Sequence, residues 1–142
     1  TPRNAVTFGE PETLYVYRSY GIHWCVNFVC GEKNHGSAVL IRALEPVEGI
    51  DVMKERRKMA DLRLLCAGPG RVCQALAITL KENGLSLRDS PFKLVPKAKA
   101  VDIVTGPRIG ISRAKDVPWR FGLAASPFLS RPFPKGSPVS TG

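Results

Sequence analysis

The sequence has few acidic residues, few histidines and no long apolar run. Asp plus Glu number 12 against 21 Lys plus Arg, which gives a formal net charge of +9. No apolar stretch approaches the roughly 20 residues that a membrane-spanning helix needs, and the first residues lack the basic-then-apolar pattern of a secretion signal. The charge excess favours a polyanionic partner, most often a nucleic acid. A membrane surface is disfavoured because the chain has no long amphipathic basic helix. A generally basic protein without a polyanionic partner is the alternative.

The four cysteines lack the spacing of metal or disulfide motifs. No two of them form a CxxC pair, and the two histidines are not placed to complete a zinc set. We therefore predict no metal, no cofactor and no disulfide. The cysteines are expected to be small buried residues in a reducing compartment, with Cys25 inside a strand and Cys73 inside a helix. The set is Cys25, Cys30, Cys66 and Cys73.

The length and composition predict one globular domain followed by a loose tail. A chain of 142 residues with 44% apolar residues can bury one core, and it is short for two. Since the chain does not begin with Met, we expect a processed piece or a fragment. The Pro/Ser/Gly-rich stretch 131–142 predicts a flexible tail, which leaves 1–130 as the domain.

Hydrophobic periodicity predicts a mixed α+β domain with a largely antiparallel sheet. Residues 14–17 and 22–29 are predicted to form a hairpin because they are rich in aromatic and β-branched residues. A buried strand is predicted at 38–43, and helices are predicted at 47–59 and from Pro69 to residue 79. Shorter strands are predicted at 92–95, 101–104, 109–112 and 120–123, with a short helix beginning at Ser126.

The predicted hairpin tip carries an aromatic residue in an unusual place. Tyr20 lies in RSYG, where Gly, Asn, Asp or Ser is usual, so a role in binding is indicated. If the turn is centred near Gly21 to Ile22, Tyr17 lies opposite Asn27 on one side of the sheet. A ring that stacks on a base and an amide that reads its edge would suit nucleic-acid recognition. Ordinary strand packing of the ring and a backbone hydrogen bond of the amide are the alternatives.

Two further features suggest anion binding. Arg42 interrupts the apolar run AVLIRA, and a buried arginine needs a partner or a functional anion. An outward-facing position is the alternative. The break CAGPG before the second helix offers free N–H groups at Gly70 beside Arg71, which favours a phosphate. It lacks the Gly-Lys-Ser/Thr ending of a P-loop, and a plain loop-to-helix junction is the alternative.

Several motifs together resemble the alkyladenine (3-methyladenine) DNA glycosylase family over residues 1 to about 130. They are TPRN, LYVYRSYG, the NF of CVNF, RALEP, CAGPGRVCQALAI and, more weakly, WRFGLAASPFLS. The resemblance implies one mixed α/β domain with a curved antiparallel sheet and a protruding hairpin. It implies a monomer that acts on damaged double-stranded DNA in base excision repair. Such an enzyme flips alkylated or deaminated purine nucleotides out of the duplex and hydrolyses the N-glycosidic bond to leave an abasic site. It uses no metal and no lysine Schiff base.

The resemblance also implies roles for individual residues. Tyr20 would be the wedge that fills the gap left by the flipped nucleotide, and Tyr17 would stack on the flipped base. Asn27 would crowd the exocyclic amino group of guanine. Arg42 and the backbone carbonyl of Leu123 would contact the attacking water. The predicted contacts with the DNA backbone are Arg3, Gly70 and Arg71.

One departure from the family pattern concerns catalysis. The family's catalytic glutamate lies in a segment before TPRN, and no glutamate of this chain stands in the matching context. We therefore expect the chain alone to be a poor catalyst, since missing general-base help costs about 10² to 10⁴ in rate. The alternatives are a truncated, catalytically impaired DNA-binding form of the same family and a generic basic nucleic-acid-binding domain. The family resemblance predicts the cytoplasm or nucleoid of a bacterium, or the nucleus of a eukaryote.

Overall fold

A computed structural model describes residues 2–89 and 91–142 and has the predicted mixed α+β class. The chain opens with a 3-10 segment at Pro2–Phe8, and single 3-10 turns lie at Leu62–Leu64 and Leu80–Glu82. The regular elements are β1 (Leu14–Ser19), β2 (His23–Cys30), β3 (Ser37–Leu40), α1 (Ile50–Arg57), α2 (Pro69–Leu76), β4 (Asp102–Gly106), β5 (Arg120–Leu123) and β6 (Val139–Thr141).

The strands form two three-stranded antiparallel sheets. The first has the order β1-β2-β3 and the second has the order β5-β4-β6. The predicted antiparallel pairing and the protruding hairpin are thus confirmed, with the strands divided between two small sheets. The outer edge of β1 is covered by the segment that follows the third 3-10 turn: Gly84 N–H donates to Leu14 O, and Leu14 N–H donates to Leu85 O.

The core lies between the first sheet and α2. Alternate residues of β1 and β2 point toward it because successive side chains of a strand face opposite sides. Pro69 occupies the first turn of α2, as predicted, and Ala77 ends the helix two residues before the predicted boundary because it adopts a left-handed conformation with φ +54°. The buried cluster comprises Leu14, Val16, Val26, Leu65, Cys66, Val72, Cys73, Ala75, Ile78 and Leu87.

Helix α1 is shorter than the predicted helix at 47–59, and it packs loosely on the core. Ile50 and Met53 contact the core, whereas Val52 is exposed, as is Val47 before the helix. One basic residue of this helix has a structural role: the Arg57 guanidinium donates to the carbonyl oxygens of Leu65, at 3.0 Å, and Leu64, at 3.5 Å. Arg57 therefore satisfies backbone groups in the turn between the two helices.

Three predicted elements are absent from the structure, and a fourth has a different environment. Residues 92–95 and 109–112 are irregular because turns interrupt them; Phe92 N–H donates to Asp89 O, and Gly110 has φ +70°. No helix begins at Ser126. Residues 38–43, predicted as a buried strand, yield only the short β3, whose first three residues are exposed. An apolar run can line an open cavity as well as a closed core, and here it lines a cavity.

Residues 131–142 pack onto the second sheet, although their composition predicts a flexible tail. Strand β6 pairs with β4, and the Thr141 hydroxyl donates to Asp102 Oδ1 at 2.7 Å. Phe133 packs on a floor made by two strand glycines: a Cβ built at Gly122 would lie 2.7 Å from the Phe133 ring, and one at Gly106 would lie 3.0 Å from it. The missing side chains of these glycines let the tail approach the sheet.

Replacement of Gly122 by alanine is expected to destabilise the fold by about 1–3 kcal/mol, the usual cost of overpacking. The added methyl group would meet Phe133, and it would also lie 3.2 Å from Leu129. Urea denaturation monitored by circular dichroism measures the change. Phe133→Leu removes part of the clash, so the double variant should lose less stability than the sum of the two single changes. Strict additivity would contradict this packing.

Three of the four cysteines are buried, as predicted. Cys25 lies in β2 and Cys73 in α2, while Cys30 is half-buried at the end of β2. Burial, followed by the neighbouring Cys25, raises the pKa of the Cys73 thiol from 9.0 to about 12. The folded state therefore keeps this proton at pH values where the unfolded chain has lost it.

The contribution of Cys73 to stability is expected to be complete below about pH 9 and to disappear as the pH rises toward 12. The unfolded chain binds fewer protons in this range, so the free energy of unfolding falls with pH. The slope from one such group is limited to about 1.4 kcal/mol per pH unit. Denaturation between pH 7 and 11 should show a steeper decline for the wild type than for Cys73→Ala. Parallel curves would contradict the assignment.

Candidate active site and nucleic-acid interface

The β1–β2 hairpin ends in a strained, exposed tyrosine. Tyr20 has φ +50° and Gly21 has φ +66°, and Ile22 N–H donates to Ser19 O at 3.0 Å. Positive φ at both central residues is typical of a type I′ turn, in which Asn-Gly is the favoured pair. A tyrosine in this conformation costs about 1–2 kcal/mol, and Tyr20 is 95% exposed, so no packing in the chain offsets that cost.

The register of the hairpin differs by two residues from the predicted one. Tyr17 pairs with Cys25, and Tyr15 is opposite Asn27. The predicted pairing of Tyr17 with Asn27 is wrong because the turn is centred on Gly21. Since partners across a pair lie on the same face, Tyr17 and Asn27 still share one face as diagonal neighbours. Tyr17 also stacks on Tyr15, with ring centroids 5.4 Å apart.

Asn27 is buried and its amide is fixed by the neighbouring strand. Its side chain is 7% exposed, and Nδ2 donates to Tyr15 O at 3.3 Å. The backbone hydrogen bond that we considered as an alternative is therefore present. Asn27 also lines the main cavity, so the bond to the backbone sets the orientation of an amide at the cavity wall.

Arg42 lines this cavity, and its Nε has no hydrogen-bond partner among the described residues. The cavity has a volume of about 790 Å³, and Asn27, Arg42 and Leu123 are among the residues that line it. Arg42 Nε is fully buried and unpaired within the described part of the chain. Burial and the nearby charge of Arg131 lower the pKa of Arg42, while Cys25 and Tyr17 raise it. Arg42 and Tyr17 are therefore near each other in the structure.

The pKa of the Cys25 thiol also indicates that Tyr17 and Arg42 lie close together. Burial raises its pKa, while a hydrogen bond with Tyr17 and the charge of Arg42 lower it. Tyr17, Cys25 and Arg42 are therefore close neighbours, although β1, β2 and the segment after β3 supply them separately.

Two arginines of the cavity, Arg108 and Arg120, were not predicted from the sequence as site residues. Arg108 has a buried, unpaired Nε, and its guanidinium lies 5.3 Å from the centroid of the Trp119 ring. Arg120 is 8% exposed, and burial followed by the charges of Arg42 and Arg131 lowers its pKa. Arg120 is the first residue of the predicted strand 120–123, so no apolar run encloses it in the way that AVLIRA encloses Arg42. The cavity is therefore electropositive, which suits a negatively charged polymer.

Leu123 and Glu45 supply oxygen acceptors at the cavity wall, a backbone carbonyl and a side-chain carboxylate. The Leu123 carbonyl oxygen accepts a bond of 3.2 Å from Ser126 N–H. A carbonyl oxygen has two lone pairs, so a second donor such as water can also bind. Glu45 is exposed and lines the same cavity. Among the described residues that line this cavity, Glu45 is the one that carries a carboxylate.

Of the predicted contacts with the DNA backbone, Gly70 and Arg71 lie near the tip end of the hairpin. A Cβ built at Gly70 would lie 3.0 Å from His23, so the start of α2 packs against the first residue of β2. No side chain caps α2 at Gly68, and Arg71 is exposed, with one guanidinium nitrogen 3.4 Å from Ala67 O. The side chain of Arg3 lies outside what the structure describes.

Within the described ranges, the structure offers neither a metal cluster nor a membrane span. No group of three or more His, Cys, Asp or Glu among these residues could hold a metal ion. No helix in the same ranges is long and apolar enough to cross a membrane.

The fold and site define the class of the protein: a basic α+β domain with an exposed aromatic finger and an arginine-lined cavity, as expected of an enzyme that binds nucleic acid. A family model described as methylpurine-DNA glycosylase (MPG) matches residues 1–127. The chain belongs to this family of DNA glycosylases, which confirms the resemblance predicted from the motifs and the assignment to DNA repair.

Curated bacterial proteins match most of the chain. A protein of Nitrosospira multiformis is 64% identical over 133 residues, covering 94% of this chain and 69% of that protein. A protein of Rhodopseudomonas palustris is 57% identical (95% of this chain, 66% of that protein), and one of Agrobacterium fabrum is 59% identical (94% and 67%). All three bear the name "Putative 3-methyladenine DNA glycosylase". The chain spans about two thirds of the length of these relatives.

Proposed function

We propose that this protein removes alkylated or deaminated purines from double-stranded DNA by hydrolysis of the N-glycosidic bond. The observation that carries the proposal is Tyr20, a strained and almost fully exposed tyrosine at the tip of the hairpin whose second strand contributes Asn27 to the cavity that Arg42 lines. Strain of this kind persists at functional sites. Inserted into the duplex, the ring offsets part of the few kcal/mol that base flipping costs. We also propose that the protein acts as a monomer and, since the relatives are bacterial, that its substrate is the DNA of the nucleoid in the cytoplasm.

In this proposal, the flipped base enters the cavity between Tyr17 and Asn27. A base that carries a positive charge after alkylation gains a cation–π interaction with the Tyr17 ring. The fixed Asn27 amide excludes bases that carry a bulky exocyclic amino group at that edge. The start of α2, with Gly70 and Arg71, binds the DNA backbone close to the hairpin tip, because Gly70 contacts His23, the residue of β2 next to the turn. We propose the same role for Arg3.

The proposed reaction is a displacement by water at C1′ of the deoxyribose. The oxygen of water bonds to C1′, the C1′–N bond breaks, and the purine leaves with the bonding electron pair. The water loses one proton to a base. The Arg42 guanidinium and the Leu123 carbonyl hold the water, since the guanidinium has several N–H donors and the carbonyl oxygen has a lone pair left beside its bond from Ser126 N–H. We propose that the general base comes from a segment upstream of TPRN, in line with the family resemblance.

The test is single-turnover release of hypoxanthine from a duplex oligonucleotide by this chain and by a form extended upstream. Release by the extended form alone is expected. Release by both would overturn the upstream assignment of the base and direct attention to Glu45, so the Glu45→Gln variant is assayed in parallel. If neither form releases a base and both bind DNA with a preference for the lesion, the chain is a catalytically impaired DNA-binding form. If neither shows a preference for damaged duplex, it is a generic nucleic-acid-binding domain.

A further inference from the structure

The C-terminal segment places Arg131 next to the cavity, whose lining includes the preceding residue, Ser130. The buried Arg120 donates from one guanidinium nitrogen to Arg131 O and from another to Pro132 O, the latter at 3.3 Å. The same guanidinium stacks on Phe133, 3.9 Å from the ring centroid. Phe133 in turn rests on Gly106 and Gly122. The backbone of Arg131 is therefore held at a fixed place beside the cavity by contacts on both sides of the segment.

Arg42, Arg120 and Arg131 form a cluster of like charges. The charge of Arg131 acts on both Arg42 and Arg120, in each case after the effect of burial. No carboxylate is among the groups that affect these two arginines; the opposing groups at Arg42 are Cys25 and Tyr17. Mutual repulsion of partly buried cations costs free energy that a bound anion would offset.

We propose that Arg131 and Arg42 together bind a phosphodiester group of the DNA strand that carries the flipped nucleotide, with Arg120 as the positioning residue. The inference rests on the proposed function, because the anion arrives with the substrate. A flipped base is neutral or cationic, so the backbone phosphate is the anionic part of a nucleotide at this cavity. Guanidinium groups suit phosphate because their planar donors match its oxygens. Arg42 has enough N–H donors to hold both a phosphate and the water.

The test measures the affinity of the full chain for a duplex that carries a tetrahydrofuran abasic analogue, by fluorescence anisotropy. Arg131→Gln is expected to weaken binding about tenfold and to reduce the salt dependence, log K against log salt, by about 0.9, the value for one phosphate contact. Arg131→Lys retains the charge and should retain most of the affinity. Lys135→Gln removes an exposed charge from the same segment and is the matched control, with an expected change below about twofold.

Substitution of individual DNA phosphates by neutral methylphosphonate groups then identifies the phosphate that Arg131 binds. Each phosphate next to the abasic analogue is replaced in turn, and one replacement should weaken wild-type binding about as much as Arg131→Gln does. That replacement should have no further effect on the Arg131→Gln variant. Phe133→Ala keeps the charge but releases the segment, so it should reproduce part of the loss. Thermal unfolding of each variant establishes that it is folded.

Equal affinities of Arg131→Gln and Lys135→Gln would overturn this inference, as would full additivity of Arg131→Gln with every methylphosphonate. These outcomes differ from a failure of the proposed function. A wild-type chain that binds damaged and undamaged duplexes equally would overturn the proposed function. A lesion preference that survives in Arg131→Gln with unchanged affinity would overturn the phosphate assignment alone.

Discussion

Replacement of Tyr20 by asparagine is expected to make the fold more stable and its binding to damaged DNA weaker. Asparagine tolerates the left-handed conformation that Tyr20 adopts at φ +50°, so the free energy of unfolding should rise by about 1 kcal/mol. Tyr20 is 95% exposed, so no core contact is lost. Aromatic stacking on a base is worth about 1–3 kcal/mol, so affinity for an abasic-analogue duplex should fall about tenfold or more.

The two effects are measured by urea denaturation and by fluorescence anisotropy on the same preparations. Tyr20→Phe is the matched control, since it keeps both the aromatic ring and the strained backbone. It should resemble the wild type in stability and in affinity. Unchanged affinity of Tyr20→Asn for the abasic-analogue duplex would exclude Tyr20 as the wedge. A loss of affinity that is equal for single-stranded DNA would favour a generic nucleic-acid-binding domain.

Replacement of Arg42 by methionine is expected to stabilise the fold and to remove most of the excision activity. Arg42 carries a charge into a partly buried site where Nε has no partner among the described residues, and Arg131 adds repulsion. An apolar residue of similar length should therefore raise the free energy of unfolding by about 1 kcal/mol or more. Loss of a positioned donor at the reacting water should slow single-turnover release of hypoxanthine by about 10²-fold to 10³-fold.

Arg57→Met provides the matched control because Arg57 is also a half-buried arginine, but one with backbone partners. It donates to the carbonyl oxygens of Leu64 and Leu65 and to Gln74 Oε1. Its replacement should lower stability by about 1–3 kcal/mol and leave single-turnover release unchanged. Excision is measured with the form of the protein whose wild type releases hypoxanthine, either the 142-residue chain or the form extended upstream. Wild-type rates for Arg42→Met would show that Arg42 does not hold the water.

The elements that could be predicted from the sequence are those specified by local signals. Strand β5 coincides with the prediction at 120–123, and Pro69 begins α2 as expected. Periodicity and helix-start residues act over a few neighbouring positions, so one segment contains the full signal. The hairpin was also found, but its register was wrong. The register depends on the turn conformation, and Tyr20 in a left-handed position is not what its residue type favours.

The apolar run AVLIRA and the C-terminal segment 131–142 show a second limit of prediction from sequence: it does not reveal what a segment packs against. An apolar composition predicts a buried segment, but it does not distinguish a segment that faces the core from one that lines a cavity, as this run does. The tail reads as loose because Pro, Ser and Gly give no periodic signal. Its actual path depends on Gly106 and Gly122, which leave space for Phe133 from far along the chain.

The sequence by itself determined the α+β class, the family and the candidate roles of Tyr17, Tyr20, Asn27 and Arg42, because ordered motifs and residue chemistry are local properties. Only the tertiary structure decided which side chains meet. Arg42, Arg120 and Arg131 come from three separate segments, and they lie together because β5 and the C-terminal segment pack beside the cavity that the Arg42 segment lines. Electrostatic interaction depends on distance in space rather than on separation in the chain. The electropositive cavity, with its unpaired arginine Nε, is therefore a property of the fold.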